Sequence, residues 1–303
     1  MERGQTYGEV WKAGVRRLAE AGIEEAEAES GAELLILHLL GIGKAELLRD
    51  LREPFPEAKR DEWEAMLARR AAGEPAQYVT GEQYFYGRKF AVTPAVLIPR
   101  PETELLAEAV LEGADKIVAT RKARGDEGQL RVLDVGTGSG ALAVTLKLER
   151  PDWQVTASDL SPEALEVAAG NAAALGASVR FVQGDLLAPF REGRAHAGER
   201  IDILVSNPPY IPSSDLPGLQ AEVRDHEPRL ALDGGPDGLA PYRRMAEQLS
   251  GGLAELPAIV AWEVGIHQAE QAAALLREVA DWDEIRIVRD YGGIDRHVLA
   301  LRF

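Results

Sequence analysis

From residue 131 to the end of the chain, short apolar runs alternate with amphipathic helical stretches. The apolar runs, which are typical of buried strands, are 131–135, 154–158, 179–183, 201–206, 258–263, 283–288 and 297–301. The helical stretches between them are 140–149, 162–175, 239–251 and 268–280. This alternation predicts a parallel, doubly wound sheet. In such sheets ligands bind at the carboxyl ends of the strands.

The pattern before residue 75 is different. Apolar residues recur there at helical spacing and predict four or five short helices that form a small bundle. We expect the second helix to begin at Ser30, with Glu33 three residues on as its capping-box partner. The segment carries no chemical motif, so its role is either packing or the docking of a partner.

Residues 77–96 switch to aromatic and β-branched side chains, punctuated by Gly81 and Gly87. This composition predicts a β-hairpin between the helical bundle and the sheet. The predicted organisation is a helical docking domain at 1–75, a β-hairpin linker at 76–98 and an α/β domain at 99–303.

Three glycines follow the first strand of the α/β pattern, in the segment LRVLDVGTGSGALAVTL that starts at Leu130. Gly136, Gly138 and Gly140 allow the backbone to turn sharply and to approach a ligand closely. Their spacing differs from the GxGxxG spacing that favours a pyrophosphate. Taken alone, the turn is equally consistent with a tight strand-to-helix connection that binds nothing.

Two acidic residues follow the next two predicted strands. Asp159 lies about 20 residues after Gly140, the separation expected for a carboxylate that accepts ribose hydroxyls. An acid at a strand end is more often a helix cap, but Ser161 before Pro162 can take that role here. Asp185, followed by Leu186, lies where an adenine amino group would sit; a solvated turn is the alternative.

After the fourth strand comes the sequence Asn207-Pro208-Pro209-Tyr210. The prolines fix the backbone and hold Asn207 extended. The turn offers a side-chain carbonyl, rigid backbone carbonyls and an aromatic face, but no nucleophile. Such a site suits a planar amide or amine gripped by its N–H groups. A stiff loop that only ends a strand is the alternative.

The composition of the chain argues against several classes of binding partner. The formal net charge is −16, whereas nucleic-acid binders usually show a basic balance, so direct DNA binding is not expected. The chain has no cysteine and only five scattered histidines, so no metal is expected. The polar start at 1–10 argues against a signal peptide, and the most apolar stretch, 32–42, is too short to span a bilayer. A cytoplasmic protein without membrane association is the expectation.

Taken together, these motifs resemble a known family. The DxGxGxG pattern that ends at Gly140 is similar to motif I of class I S-adenosylmethionine (SAM) methyltransferases, and Asn207-Pro208-Pro209-Tyr210 is similar to motif IV of those that methylate planar nitrogen. Four further segments match the PrmC/HemK family of peptide chain release factor N5-glutamine methyltransferases: LIPRPETE at 97–104, HEPRLAL at 226–232, GGPDGL at 234–239 and EVG at 263–265.

The resemblance implies a Rossmann-like, seven-stranded class I methyltransferase fold behind a helical docking domain and a hairpin. It implies methyl transfer from SAM, leaving S-adenosylhomocysteine, to the glutamine amide of the Gly-Gly-Gln loop in class 1 release factors. Asn207, Pro208 and Tyr210 would be catalytic, with the Asn207 oxygen and the Pro208 carbonyl accepting the amide N–H bonds.

By the same resemblance, the methionine part of SAM would lie on Gly136, Thr137, Gly138, Ser139 and Gly140. The ribose would lie on Asp159 and the adenine beside Asp185 and Leu186. Asn207 would border the cofactor and, with Pro208, Pro209 and Tyr210, hold the glutamine. The family sometimes has tryptophan where this chain has Leu186. The stretch 99–104 would either close over the methionine end of SAM or cap a helix.

Three other functions are weighed against this one. A glutamine methyltransferase of a ribosomal protein is the nearest, but such relatives lack the full Pro-Arg-Pro-Glu-Thr-Glu string. An adenine-N6 methyltransferase of DNA or RNA uses a similar proline turn, but the acidic balance argues against it. A non-catalytic SAM-binding protein would not need an intact Asn207-Pro208-Pro209-Tyr210.

Overall fold

A computed structural model describes residues 5–126 and 128–303 of the chain. Residues 1–4 of the predicted helical domain lie outside the described residues, as does residue 127. The chain divides into two compact units: the residues up to Glu82 with Gln220–His226, and Gln83–Leu219 with Glu227–Phe303. The short segment Gln220–His226 therefore joins the first unit, which the sequence pattern did not indicate.

The helices are α1 (Tyr7–Glu20), α2 (Glu25–Leu40), α3 (Lys44–Arg49), α4 (Arg60–Ala71), α5 (Ala76–Thr80), α6 (Pro101–Ala123), α7 (Ala141–Glu149), α8 (Pro162–Leu175), α9 (Ala221–His226), α10 (Ala240–Gly251) and α11 (Ala269–Val279). The strands are β1 (Glu82–Phe85), β2 (Arg88–Ala91), β3 (Arg131–Val135), β4 (Gln154–Asp159), β5 (Val179–Gln183), β6 (Ile203–Ser206), β7 (Ile259–Glu263), β8 (Glu284–Arg289) and β9 (Asp295–Leu301).

The first unit is helical. Thr6 caps α1 through a capping box with Glu9: Thr6 Oγ1 accepts from the Glu9 N–H at 3.3 Å, and Glu9 Oε2 accepts from the Thr6 N–H at 2.8 Å. The core of this unit buries large side chains that include Leu35 and Trp63. Within residues 5–126 and 128–303, no helix has both the length and the apolar character needed to cross a membrane.

The predicted start of the second helix at Ser30 is wrong. Helix α2 begins at Glu25, and Ser30 lies inside it with its hydroxyl donating to the Glu27 carbonyl at 3.3 Å. The upstream run of alanine and glutamate favours helix, and Ala28 is fully buried. Burial and propensity therefore extend the helix beyond the serine that resembles a cap.

The predicted hairpin over 77–96 is too long. Residues 77–80 belong to the short helix α5, which ends at Gly81 with φ 74°. Val79 packs into the helical core instead of pairing in a strand. The true hairpin is β1 and β2, which Tyr86 (φ 51°) and Gly87 (φ 70°) connect in left-handed conformation. Such a two-residue turn matches the twist of an antiparallel pair.

The second unit contains a seven-stranded sheet of order β5-β4-β3-β6-β7-β9-β8. The pairs among β3 to β7 are parallel, but β9 runs antiparallel to both β7 and β8. The expectation of a parallel sheet therefore holds for β3 to β7 and is corrected for β9. Only residues 290–294 connect β8 to β9, and a parallel pair needs a crossover of a dozen residues or more.

Two cores cover the two faces of this sheet. Helices α6, α7 and α8 pack on one face, against residues such as Val132 and Val205. Helices α10 and α11 pack on the other, against residues such as Leu133 and Leu204. Neighbouring strand residues thus point to opposite cores, as the two-residue repeat of a strand requires. Both faces of the sheet are therefore buried, and the loops at the carboxyl ends of its strands extend from this core.

Candidate active site

The carboxyl ends of β3, β4, β5 and β6 border one cavity of about 920 Å³ within the second unit. Of the residues that the sequence singled out, those that line it are Gly136, Thr137, Gly138, Ser139, Asp159, Asp185, Leu186, Asn207 and Pro209. Gly140, Pro208 and Tyr210 are not part of the lining. The sheet topology therefore brings most of the predicted residues together, although they span more than 70 positions in sequence.

The turn after β3 depends on its glycines. Gly136, Gly138 and Gly140 have φ of 71°, 55° and 81°, in the left-handed region where other residues are strained. A Cβ added at Gly136 or Gly138 would meet nothing within 4 Å, so space is open beside the backbone there. At Gly140 it would lie 3.1 Å from the Ala168 Cβ on α8. The first two glycines serve the cavity and the third serves helix packing.

The side chain of Asp134 stabilises this turn through two hydrogen bonds. Its Oδ2 accepts from the Thr137 hydroxyl at 2.6 Å and from the Ala143 N–H at 3.2 Å. The side chain is completely buried, and this burial raises the pKa of the carboxyl group to about 7. The sequence showed Asp134 only as the first letter of a motif; its bracing role depends on contacts across the turn.

Asp159 stands at the end of β4 with both oxygens engaged by backbone. Oδ2 accepts from the Gly138 N–H and Oδ1 from the Ser161 N–H, each at 2.9 Å. Burial raises the pKa of this carboxyl group, and the two N–H donors oppose the shift. Ser161 caps α8 by accepting from the Ala164 N–H at 3.1 Å. The prediction that Ser161, and not Asp159, would cap the helix is confirmed.

Asp185 has a partner that the sequence did not suggest. Its carboxylate forms an ion pair with Arg244 on α10, which also lines the cavity. Leu186 follows with φ 51°, an unusual conformation for leucine, and contacts the core on the α10 side of the sheet. The Asp185 carboxylate is about two-fifths exposed and remains accessible from the cavity.

The proline turn after β6 is held by side chains from distant parts of the chain. Asn207 donates from Nδ2 to the Thr103 hydroxyl at 3.2 Å. Arg296 donates to the Tyr210 hydroxyl at 2.9 Å and stacks over its ring, 5.2 Å from the centroid. Gln268 donates to the Tyr210 carbonyl at 2.9 Å. Tyr210 is therefore fixed at its hydroxyl, its ring and its backbone.

The GGPDG loop at 234–238 packs directly against this turn. A Cβ at Gly234 would lie 2.8 Å from the Tyr210 Cα, and one at Gly238 would lie 2.2 Å from the Tyr210 carbonyl oxygen. Any larger residue would push the turn out of place. These glycines, which carried the resemblance in sequence, serve the close approach of two backbones.

A buried carboxylate lies behind the proline turn. Glu263, the last residue of β7, is completely buried and accepts from the Thr103 hydroxyl at 2.6 Å. Arg296 lies 3.4 Å from its other oxygen. Burial raises the pKa of Glu263, while Thr103 and Arg296 oppose that rise. His297, whose pKa burial lowers to about 4, lies 3.9 Å from the carboxylate and is neutral at pH 7.

The stretch 99–104 does two things at once. Pro101 occupies the first turn of α6, so the stretch starts a helix as one interpretation held. Pro99, Arg100 and Thr103 also line the cavity. Arg100 forms an ion pair with the buried Glu227. The sequence did not foresee that Thr103 would contact Asn207, because no local pattern links them.

The sheet order with one reversed strand near its edge, the glycine turn after β3 and the acid after β4 define a class I SAM-dependent methyltransferase fold. Among solved structures, the hMettl16 catalytic domain in complex with MAT2A 3'UTR hairpin 6 superimposes with a TM-score of 0.50. It is 14% identical and covers 78% of this chain and 82% of that one, which supports the fold alone.

Sequence comparisons place the chain more narrowly. Residues 9–81 match the PrmC N-terminal domain and residues 112–219 the methyltransferase small domain. Release factor glutamine methyltransferase of Moorella thermoacetica is 45% identical over 95% of each chain. That of Bacillus subtilis is 42% identical over 94% of this chain and 93% of its own. The chain belongs to the release factor glutamine methyltransferase family and is a protein glutamine methyltransferase.

Proposed function

We propose that this protein transfers a methyl group from SAM to the side-chain nitrogen of the glutamine in the Gly-Gly-Gln motif of class 1 peptide chain release factors. The observation that carries the proposal is the Asn207 amide at the cavity wall: its Nδ2 donates to Thr103, so its Oδ1 is the atom left to accept from a substrate. We assign the reaction to the cytoplasm, where translation terminates.

The residues around the cavity fit SAM. The open backbone of the glycine turn suits the methionine part, and the second lone pairs of the Asp159 oxygens can accept ribose hydroxyls. Leu160 and Leu186 offer apolar surface for the adenine. Asp185 would accept from the adenine amino group while still paired with Arg244. We expect no metal to take part.

When bound, SAM supplies an electrophilic methyl group on a sulfonium, so this chain need not activate the methyl. The difficulty is the acceptor, because the lone pair of an amide nitrogen is delocalised into its carbonyl. Asn207 Oδ1 and the Pro208 carbonyl would accept the two amide N–H bonds and hold the nitrogen in line. Such positioning can lower a barrier by ~7–11 kcal/mol in favourable cases.

The same acceptors stabilise the positive charge that develops on nitrogen as the new bond forms. Tyr210 would pack along the amide plane, held there by Arg296 and Gln268. Methylation acidifies the amide, so one of its two N–H protons leaves to water and the nitrogen ends neutral. S-adenosylhomocysteine is the expected product. The site also selects its substrate: a glutamate carboxylate has no N–H to offer, and burying it beside two carbonyl oxygens without partners is costly.

The test is methyl transfer from radiolabelled SAM to a purified class 1 release factor. A variant factor with Glu in place of the Gln of its Gly-Gly-Gln loop is the matched control. Label on the unmodified factor alone supports the proposal. Label on both factors would place the acceptor elsewhere, and label on neither would overturn the assigned substrate.

A further inference from the structure

Three side chains from three parts of the second unit form a hydrogen-bonded series beside the cavity. Asn207 follows β6 and Glu263 ends β7, and the register of these parallel strands pairs Ser206 with Trp262, the residues just before them. Thr103, in the first turn of α6, lies between the two side chains. The distances are 3.2 Å from Asn207 Nδ2 to Thr103 Oγ1 and 2.6 Å from Thr103 Oγ1 to Glu263 Oε2.

The number of protons that each group can donate decides which group donates in each hydrogen bond of this series. Arg296, 3.4 Å from Glu263 Oε1, favours the ionised form of this carboxyl group. In that form the group only accepts hydrogen bonds, and a threonine hydroxyl has one proton to donate. The Thr103 proton is committed to Glu263, so the hydroxyl meets Asn207 with a lone pair. Only the NH₂ group of the Asn207 amide can donate to it. The amide oxygen is thereby turned away from Thr103, towards the substrate.

We propose that Glu263, acting through Thr103, sets the orientation of the Asn207 amide and so makes the site select a side chain that donates N–H bonds. This inference rests on the proposed function for the identity of that side chain, glutamine. Glu263 and Thr103 are positioning residues, since neither is assigned a contact with the reacting atoms. If the amide were reversed, its NH₂ group would face the substrate and repel the glutamine N–H groups.

Arg296 completes the arrangement. It supplies a positive charge 3.4 Å from Glu263 Oε1 and donates from the same nitrogen to the Tyr210 hydroxyl. The buried carboxylate therefore has a counter-charge, as a buried ion requires. Through Thr103 and Arg296, one carboxylate holds both polar side chains of the Asn207-Pro208-Pro209-Tyr210 turn.

Paired substitutions at Thr103 test the proposal. Thr103→Val keeps the shape but removes the hydroxyl, whereas Thr103→Ser restores it. We expect Thr103→Val to lower kcat for release-factor methylation about 10- to 100-fold, as loss of a buried hydrogen bond to a charged group would. The serine variant should recover most of this loss. SAM affinity, measured by calorimetry, should change little in either.

Thr145→Val is the matched control. Thr145 lies on α7, completely buried and away from the cavity lining, and its hydroxyl has no hydrogen-bond partner among the described residues. The substitution removes the same atom from a core position, so it should leave kcat and the melting temperature close to those of the unaltered protein.

A second readout does not depend on turnover. The ¹⁵N-bound protons of the Asn207 side chain, assigned by their loss in Asn207→Ala, report the hydrogen bond to Thr103. Their chemical shifts should agree in the unaltered protein and Thr103→Ser and move in Thr103→Val. Glu263→Gln should move them as well, because glutamine can donate to Thr103 and reverse the series.

The two proposals fail in different ways. If the unaltered protein methylates no release factor, the proposed function is overturned, while the side-chain resonances still decide the orientation of Asn207. The inference is overturned if the chemical shifts of the Asn207 side-chain protons do not change in Thr103→Val. It is also overturned if kcat falls equally in the valine and serine variants. A loss of SAM affinity that matches the loss of kcat would overturn it too.

Discussion

The two turns that border the cavity are built in opposite ways. In the glycine turn, Thr137 and Ala143 bond to Asp134 from 3 and 9 residues away, and Gly138 bonds to Asp159 from 21. In the proline turn, the partners of Asn207 and Tyr210 lie 104, 86 and 58 residues away. The first turn is therefore held mainly by partners near it in sequence, whereas the second depends on partners from distant parts of the chain.

Under the proposed function, this difference separates cofactor binding from catalysis. A turn held by partners near it in sequence can bind the same cofactor in many proteins, because those partners are inherited with it. A turn held from a distance can be adjusted to one substrate, because a change in any distant partner alters its geometry. Changes to the first turn should therefore affect SAM binding, and changes to the second should affect kcat.

The largest effect is expected from Asn207→Ala on the proline turn. Removing the acceptor for the substrate amide should lower kcat at least about 100-fold, as for other groups that stabilise developing charge. SAM affinity should largely survive, since the glycine turn is untouched. Steady-state methylation measures kcat, and calorimetric SAM titration measures SAM affinity. An equal loss in both would show that the proline turn contributes to SAM binding as much as to turnover.

On the glycine turn, Asp134→Asn should change how stability depends on pH. A free aspartate titrates near 3.9 and Asp134 in the fold near 7, so between these values the folded state binds the extra proton. The Asp134 contribution is therefore complete below about pH 4 and is lost as pH rises through 7. The stability of the unaltered protein should fall relative to Asp134→Asn by about 4 kcal/mol across this range, because the two pKa values differ by about three units of about 1.4 kcal/mol each.

Denaturant unfolding of both proteins from pH 4 to pH 8 measures this difference. Other titrating groups are shared by the two proteins and cancel in the comparison. Parallel profiles would mean that Asp134 ionises normally and that burial does not control its charge.

A smaller effect is expected from Gly138→Ala. A residue other than glycine in the left-handed region costs ~1–2 kcal/mol, so the unbound turn should relax and SAM binding would have to restore it. We expect about 5- to 30-fold weaker SAM binding with kcat at saturating SAM largely kept.

Gly176→Ala is its control. Gly176 has φ 73° with no atom within 4 Å of an added Cβ, and it ends α8 away from the cavity lining. Gly176→Ala should lower the melting temperature about as much as Gly138→Ala does, without changing SAM affinity. Equal SAM affinities in the two variants would show that the strain at Gly138 is unrelated to the cofactor.

The smallest effect is expected from Arg244→Ala. Arg244 and Asp185 are each about half exposed, and pairs of this kind contribute about 0–1 kcal/mol. Melting temperature should hardly move. SAM affinity should stay the same or rise slightly, because Asp185 would be free for the adenine. A tenfold loss of SAM affinity would instead show that Arg244 itself contacts the cofactor.

Much of this arrangement was predictable from the sequence. The glycine turn and the cap at Ser161 were found because their partners are near neighbours, and the proline turn was found because Asn207-Pro208-Pro209-Tyr210 is rare. The antiparallel direction of β9 could have been predicted, since no helical stretch separates the last two predicted strands. The start of α2 and the helix α5 were missed, because packing in the helical core overrode local signals.

The sequence by itself determined the class of fold, the positions of the two turns and several of the residues that line the cavity. These features follow from periodicity and from prolines and glycines, whose effects act over a few residues. Only the tertiary structure decided which way the Asn207 amide faces, what holds Tyr210 and which acid lies behind them. Those outcomes depend on hydrogen bonds between Thr103, Glu263 and Arg296, which only the register of the sheet brings together.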